Sequence, residues 1–131
     1  MSWAGYLMLG LVALTVAYIL WTGLSSDNMI DKPVELLDSS LPGLAAHRAK
    51  AVIYCYSHHC PPCRRMAPDI VRLQEKHPNV FKLDISLHAK ESRAIGIRAT
   101  PTTLLVEDGK VLEALLGAGA IPAIEVFLGA A

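Results

Sequence analysis

Cys60-Pro61-Pro62-Cys63 is the stretch that most constrains this chain, because it sets two thiols three residues apart where a strand gives way to a helix. The apolar run Ala51-Val52-Ile53-Tyr54-Cys55-Tyr56 leads in with the character of a buried strand, and the residues from Met66 to Lys76 carry apolar side chains at helical spacing. With Cys60 as the N-cap, Pro61 takes the first helical position, which suits its fixed φ and missing N–H. Cys63 then falls one turn on, and both sulfurs come within bonding reach. The thiolate is the reactive form of cysteine, and the unpaired N–H groups and dipole of a helix N-terminus lower a cysteine pKa. Cys60 is therefore expected as the outward, attacking sulfur, and Cys63 as the inward one that resolves a mixed disulfide. Pro62 deletes an N–H that could have faced Cys60, which limits the depression, while Arg64, Arg65 and a protonated His59 add positive charge.

A second motif lies further on. Cys60-Pro61-Pro62-Cys63 followed by Arg64 and, five residues after the second cysteine, by Pro68 resembles the active-site helix of the thioredoxin family. Gly96-Ile97-Arg98-Ala99-Thr100-Pro101-Thr102 resembles that family's loop with a cis-proline packed against the dithiol. Glu107-Asp108-Gly109-Lys110 resembles its hairpin, and Gly117 the glycine after its last strand; the likeness runs from about Val34 to Leu128. It implies an α/β, thioredoxin-like three-layer fold with a central mixed β-sheet flanked by helices, and thiol–disulfide oxidoreductase activity with Cys60 and Cys63 catalytic. It also implies a cis bond at Thr100–Pro101, whose backbone would grip an extended substrate segment as an added strand does. His59, Pro61, Pro62, Arg64, Thr100 and Pro101 are then the residues that shape the groove and tune the potential. Protein thiols or disulfides are the expected clients, an upstream dithiol protein the electron donor, and the redox-active disulfide itself stands in place of any cofactor. The chain departs from the family pattern at His59, where tryptophan is usual, and at Tyr54, where a buried aspartate is usual. Tyr54 is expected as a core residue, since a phenol with a pKa of about 10 is a poor proton carrier near neutrality. Lys82 resembles the family's strand lysine near that carboxylate.

The N-terminus imposes a different constraint. From Trp3 to Leu24 there is no charged residue, and Thr15 and Thr22 add only hydroxyls. At ~1.5 Å per residue a helix of this length crosses a ~30 Å hydrocarbon core. Residues 1–24 are thus expected as a single-pass transmembrane anchor, 25–32 as a polar linker, and 33–131 as the thioredoxin-like domain. Trp3 and Tyr6 at one end and Tyr18 and Trp21 at the other are placed like interfacial belts. A cleavable signal peptide, cut near Ser25-Ser26, is the competing reading, but it would want a basic start and a shorter apolar core ending in small residues. Lys32 is the first basic residue after the segment and lies among Asp27, Asp31 and Glu35, so the charge bias that orients such helices is weak. An exported catalytic domain is the expectation.

The remaining chain is long enough for one compact domain. Equal numbers of basic and acidic residues, 12 of each, leave no net charge and no nucleic-acid footprint. Pro33–Leu37 is expected as an edge strand, and Leu41–Arg48 as a short helix capped by Ser39 or Ser40. Val52–Tyr56 is the strand before the dithiol, Pro61–Lys76 its helix, Val80–Ile85 the next strand and His88–Ala94 a short helix ending at Gly96. Thr102–Val106 and Val111–Leu116 form a hairpin about Asp108-Gly109, and Pro122 opens a last helix ending near Leu128. Cys55 is expected as a buried structural thiol.

With no histidine between the cysteines and one N–H lost at Pro62, a reducing or exchanging role is favoured over disulfide donation. A metal-handling protein is the alternative, since His59, Cys60 and Cys63, with His58 adjacent, offer ligand types suited to zinc or Cu(I). Pro61-Pro62 stiffens that segment against closing on an ion. His58 itself is expected as a solvated loop residue, and no glycine-rich nucleotide fingerprint occurs.

Overall fold

The computed structural model describes residues 2–26 and 29–129. A long helix α1 (Trp3–Ser26) comes first. Its segment Trp3–Trp21 is apolar and long enough to cross a membrane, and none of it is buried against the rest of the protein. Asp27, in the expected linker, and the last two residues, in the expected domain, lie outside the described residues. Met29 is already buried, and Asp31 and Lys32 exchange backbone hydrogen bonds with Val111, so the packed part of the chain reaches back to Met29.

Among the described residues four strands and three α-helices follow: β1 (Lys50–Tyr56), α2 (Pro61–Lys76), β2 (Val80–Asp84), α3 (Ala89–Ile95), β3 (Thr102–Glu107), β4 (Lys110–Leu116) and α4 (Ile121–Gly129). The sheet order is β2-β1-β3-β4, with β1 and β2 parallel and the other pairs antiparallel. A parallel pair needs a crossover, and α2 supplies it. The β3–β4 turn is made by Asp108 and Gly109, both at positive φ as a tight two-residue hairpin requires.

Strand β1 is buried on both faces because the two layers of core meet on it. Ala51, Ile53 and Cys55 face one cluster with Val34, Leu37, Leu44 and Ile95. Val52 and Tyr54 face the other, with Met66, Ile70 and Leu73 of α2 and Ile124 of α4. Period-two alternation along β1 thus serves two helical layers, which is why its sequence is apolar throughout. On α2 the buried residues Cys63, Met66, Ile70 and Leu73 recur at three- and four-residue spacing, placing Cys63 on the core face. The helix runs on through Pro68.

Two expected elements form differently. Pro33–Leu37 makes only a single bridge, Pro33 to Lys110, and then turns as a short 3-10 helix over Val34–Leu37. Val34 and Leu37 are the apolar residues buried there, and a three-residue spacing puts both on one side of a turn but on opposite sides of a strand. The helix expected over Leu41–Arg48 shrinks to a 3-10 turn at Leu44–His47, because Gly43 adopts φ 89° and interrupts it; neither Ser39 nor Ser40 is its cap.

Candidate active site

The dithiol sits where β1 delivers the chain to α2. Cys60 is the N-cap in extended conformation, φ −113° and ψ 103°, and its sulfur accepts the Cys63 N–H at 3.2 Å. The Arg64 N–H closes the first helical turn on the Cys60 carbonyl, also at 3.2 Å. Pro61 and Pro62 occupy the first two helical positions, where no backbone donor is needed for the helix ladder. Cys60 and Cys63 are joined by a disulfide with Cα atoms 5.2 Å apart.

Both cysteines are buried, at 6% and 3% exposure, so Cys60 does not project as the sequence suggested. Its sulfur is turned inward by the bond to Cys63 and by the N–H it accepts. Pro61 is exposed and Pro62 half-buried at the rim. Thr100–Pro101 is cis. The Thr100 hydroxyl lies 3.4 Å from that of Ser57, which ties this loop to the one entering the dithiol. Pro101 is buried and its carbonyl accepts the Gly117 N–H at 2.9 Å, while Thr102 donates to the Ala99 carbonyl at 2.6 Å.

Behind Cys63 the site is built from side chains the sequence did not join. The Tyr54 hydroxyl donates to the Cys63 carbonyl. Burial pushes the Tyr54 phenol up to about 12, with Tyr56 and Cys55 adding to the effect, so it stays protonated at neutral pH. Cys55, fully buried on β1, is pushed up by burial as well, which makes it an inert thiol.

His58 is the solvated loop residue expected, its side chain 69% exposed, and it also faces a buried carboxylate. Its Nε2 lies 2.8 Å from Oδ2 of Asp84, a carboxylate only 5% exposed at the end of β2. Burial would raise the Asp84 carboxyl. Hydrogen bonds from Ser86, the facing His58 and the Leu87 N–H outweigh it and hold the carboxyl below its ordinary value. The parallel register pairs Tyr56 with Asp84, so the residue two beyond Tyr56 comes within reach of that carboxylate. This pairing is the signal that could have found the contact, but it is visible only once the register is known.

Arg64 turns its guanidinium back to donate to the His58 carbonyl at 3.1 Å, holding the loop before the dithiol instead of pointing away. Lys82 lies over the Tyr56 ring, 5.4 Å from its centroid. These groups surround a pocket of about 370 Å3 lined by Tyr54, Tyr56, His58, Cys63, Arg64 and Lys82. His59 is exposed at its rim. Among the described residues no group of three or more His, Cys, Asp or Glu is placed to hold a metal ion.

The thioredoxin family model matches residues 41–129. This chain belongs to the thioredoxin family. It is 31% identical over 100 residues to a thioredoxin of Aspergillus fumigatus, covering 73% of this chain and 85% of that protein. It is 36% identical over 70 residues to the chloroplastic thioredoxin F of Oryza sativa subsp. japonica, covering 51% of this chain and 37% of that protein. The reduced thioredoxin pre-protein of Schistosoma mansoni superposes with a TM-score of 0.58 at 29% identity, over 69% of this chain and 84% of that one. A poplar thioredoxin h shares the fold at a TM-score of 0.61, with 24% identity over 74% of this chain and 92% of that one. The mixed sheet flanked by helices is thus the thioredoxin arrangement, as the sequence implied. With thioredoxin kinship and a bonded Cys60–Cys63 pair, the protein is a thiol–disulfide oxidoreductase.

Proposed function

We propose that this protein is a membrane-tethered thioredoxin that reduces or exchanges disulfides of protein clients, with Cys60 the attacking sulfur and Cys63 the resolving one. The observation that carries this reading is the Cys60–Cys63 disulfide at the first turn of α2, with the Thr100–Pro101 loop tied to the strand end beside it.

In the reducing direction the Cys60 thiolate attacks a client disulfide and one client sulfur leaves. Cys63 then displaces the second client sulfur from Cys60, closing the disulfide seen here. Pro61, Pro62, Thr100 and Pro101 shape the groove in which the client lies, and His59 and Arg64 tune the dithiol by their charge. An upstream dithiol protein returns the two electrons. Residues 1–24 form the anchor, 25–32 the connection, whose part from Met29 on packs against the domain, and 33–131 the catalytic domain, held on the exported side of the membrane. An apolar helix whose Trp3–Trp21 stretch is nowhere buried and which carries Trp3, Tyr6, Tyr18 and Trp21 near its ends supports the anchor.

The test is the reduction potential of the full chain in detergent micelles, equilibrated against dithiothreitol or glutathione with mass-tagging of free thiols. A value near the ~−270 mV of thioredoxin agrees with a reductase, and one near the ~−120 mV of strong oxidants makes the protein a disulfide donor instead. Failure to form a reversible Cys60–Cys63 bond would remove the catalytic reading. Alkaline carbonate washing of membranes, followed by protease accessibility of the domain in sealed vesicles, tests the anchor and its sidedness.

A further inference from the structure

Three segments meet at the dithiol end of the sheet. The Ser57 hydroxyl lies 3.4 Å from that of Thr100, and the Gly117 N–H bonds the Pro101 carbonyl at 2.9 Å, so residues 57–65, 96–101 and 116–119 are fastened together. Within them the sequence places Arg64, Arg65 and Arg98, with His58 and His59, and no aspartate or glutamate. Asp84 reaches this end from β2, but it is buried at 5% exposure and faces His58. The first carboxylate along α2 beyond the dithiol, Asp69, is taken by Arg72. Exposed carboxylates sit at the other end of the sheet: Glu107 and Asp108 lie at the hairpin turn, where Glu107 is in register with Lys50 at the start of β1.

Most of the arginines are occupied. Arg48 bonds Asp38, Arg72 bonds Asp69, Arg93 donates to the Ala89 carbonyl at 3.2 Å, and Arg64 donates to the His58 carbonyl at 3.1 Å. Arg65 and Arg98 remain, both exposed, and among the described residues neither has a hydrogen bond or ion pair. Arg65 stands four residues beyond Pro61 on α2, so the two share a helix face, and that face is turned away from the core-facing Cys63. Arg98 stands two residues before Thr100, on the loop that ends in the cis bond to Pro101. Pro61 and the Thr100–Pro101 segment are walls of the proposed client groove, so each wall carries a guanidinium that the fold does not use. Such a group keeps its planar fork of N–H donors for another molecule, and the fork matches a carboxylate. Because no carboxylate in these segments offsets them, their charges add, and a field of one sign steers and orients a partner of the other.

We propose that Arg65 and Arg98, unpartnered on the two walls of the groove, select client disulfides flanked by aspartate or glutamate. This rests on the client-reducing role proposed above and names the class of client. A client segment lying across Cys60 runs between the two guanidinium groups, so an acidic side chain on either side of its cysteine meets one of them as the segment settles. Exposed charges act mainly on encounter, which speeds association without holding the reduced client afterwards. A client with lysine or arginine beside its disulfide approaches against the same field and reacts slowly. Both arginines act on the flanks of the client and not on the exchanging sulfurs.

The experiment mixes the reduced full chain, in non-ionic detergent micelles, with peptide disulfides that differ only in carrying glutamate, glutamine or lysine on both sides of the cysteine. A fluorophore on one half and a quencher on the other report reduction. Each rate is divided by that of dithiothreitol on the same peptide, which removes the effect of the flanking charges on the disulfide itself. In wild type at pH 7 and low salt the acidic peptide should react at least ~10-fold faster than the basic one, and the spread should shrink to about twofold at ~0.5 M salt. Arg65→Gln with Arg98→Gln should reduce the spread severalfold, and Arg65→Glu with Arg98→Glu should reverse the order. The reading is a ratio within one protein, so a uniform loss of activity or of folded protein cancels. An acidic-to-basic ratio near one in wild type overturns the proposal. A ratio left unchanged by Arg65→Glu with Arg98→Glu also overturns it, because the selecting charge would then lie elsewhere. If wild type reduces none of the peptides, the client-reducing function fails and this inference with it; reduction of all of them without preference confines the failure to Arg65 and Arg98.

Discussion

The Tyr54 hydroxyl donates a 2.9 Å hydrogen bond to the carbonyl oxygen of Cys63. A strand residue buried at 1% exposure is thereby fastened to the helical turn that carries the inner sulfur. The core and the dithiol are one construction, and disturbing Tyr54 should be felt in both.

Tyr54→Phe should lower stability by ~1 kcal/mol, the ordinary net worth of one hydrogen bond, seen as a lower urea midpoint with unchanged slope. It should also change the alkaline limb. The folded phenol, raised to about 12 from 10, contributes stability that is complete below pH 10 and is lost as pH climbs through 12. Part of the alkaline destabilisation of wild type should therefore be missing from Tyr54→Phe; identical alkaline curves would contradict the assignment.

Cys55→Ala should keep thiol–disulfide exchange while costing about 1 kcal/mol from lost core contact. The Cys55 thiol, wholly enclosed and raised by burial, should resist alkylation in the native protein and react only on unfolding. Native-state labelling of three cysteines after reduction, instead of two, would refute this.

Asp84 should matter on the acid side. Its folded carboxyl lies below the ordinary value of about 3.9, so its contribution is present above that pH and is lost as pH falls through the folded value. Asp84→Asn should flatten the acid limb of stability measured by denaturation between pH 6 and 3. An acid limb as steep as wild type would count against the His58 and Ser86 contacts.

Cys63→Ser should accumulate a mixed disulfide between Cys60 and the client, because the displacing sulfur is gone. Mass spectrometry of the adduct under non-reducing conditions reads this directly. Cys60→Ser should form no such adduct, and an adduct at Cys63 in that variant would exchange the two proposed roles.

Val12→Lys puts a charge at the middle of α1, where insertion then costs ~3 kcal/mol. The variant should shift from the carbonate-resistant membrane fraction to the supernatant. Unaltered fractionation would argue against α1 as the span.

The sequence was most legible where the determinants are local. Cys60 as N-cap, Pro61 at the first helical position and the apolar spacing of α2 are all decided within a few residues, and the structure follows them. The Asp108-Gly109 turn is similarly self-contained. Between Pro33 and Arg48 the signals conflicted: Val34 and Leu37 fit a turn as well as a short strand, and only the packing of both into one cluster decides it. The His58–Asp84 contact joins residues brought together by the β1–β2 register, and no local pattern announces it. The inward turn of Cys60 likewise depends on its bond to Cys63 and the N–H its sulfur accepts.

Only residues 27–28 separate the end of α1 from Met29, which is already packed in the core. Three Cα steps span at most ~11 Å. Were α1 seated in a bilayer, as proposed, so short a leash would keep the domain, and the dithiol with it, close to the lipid. Clients would then be sorted by altitude as much as by sequence: a disulfide carried near the membrane would be met often, and one held high on a tall ectodomain hardly at all.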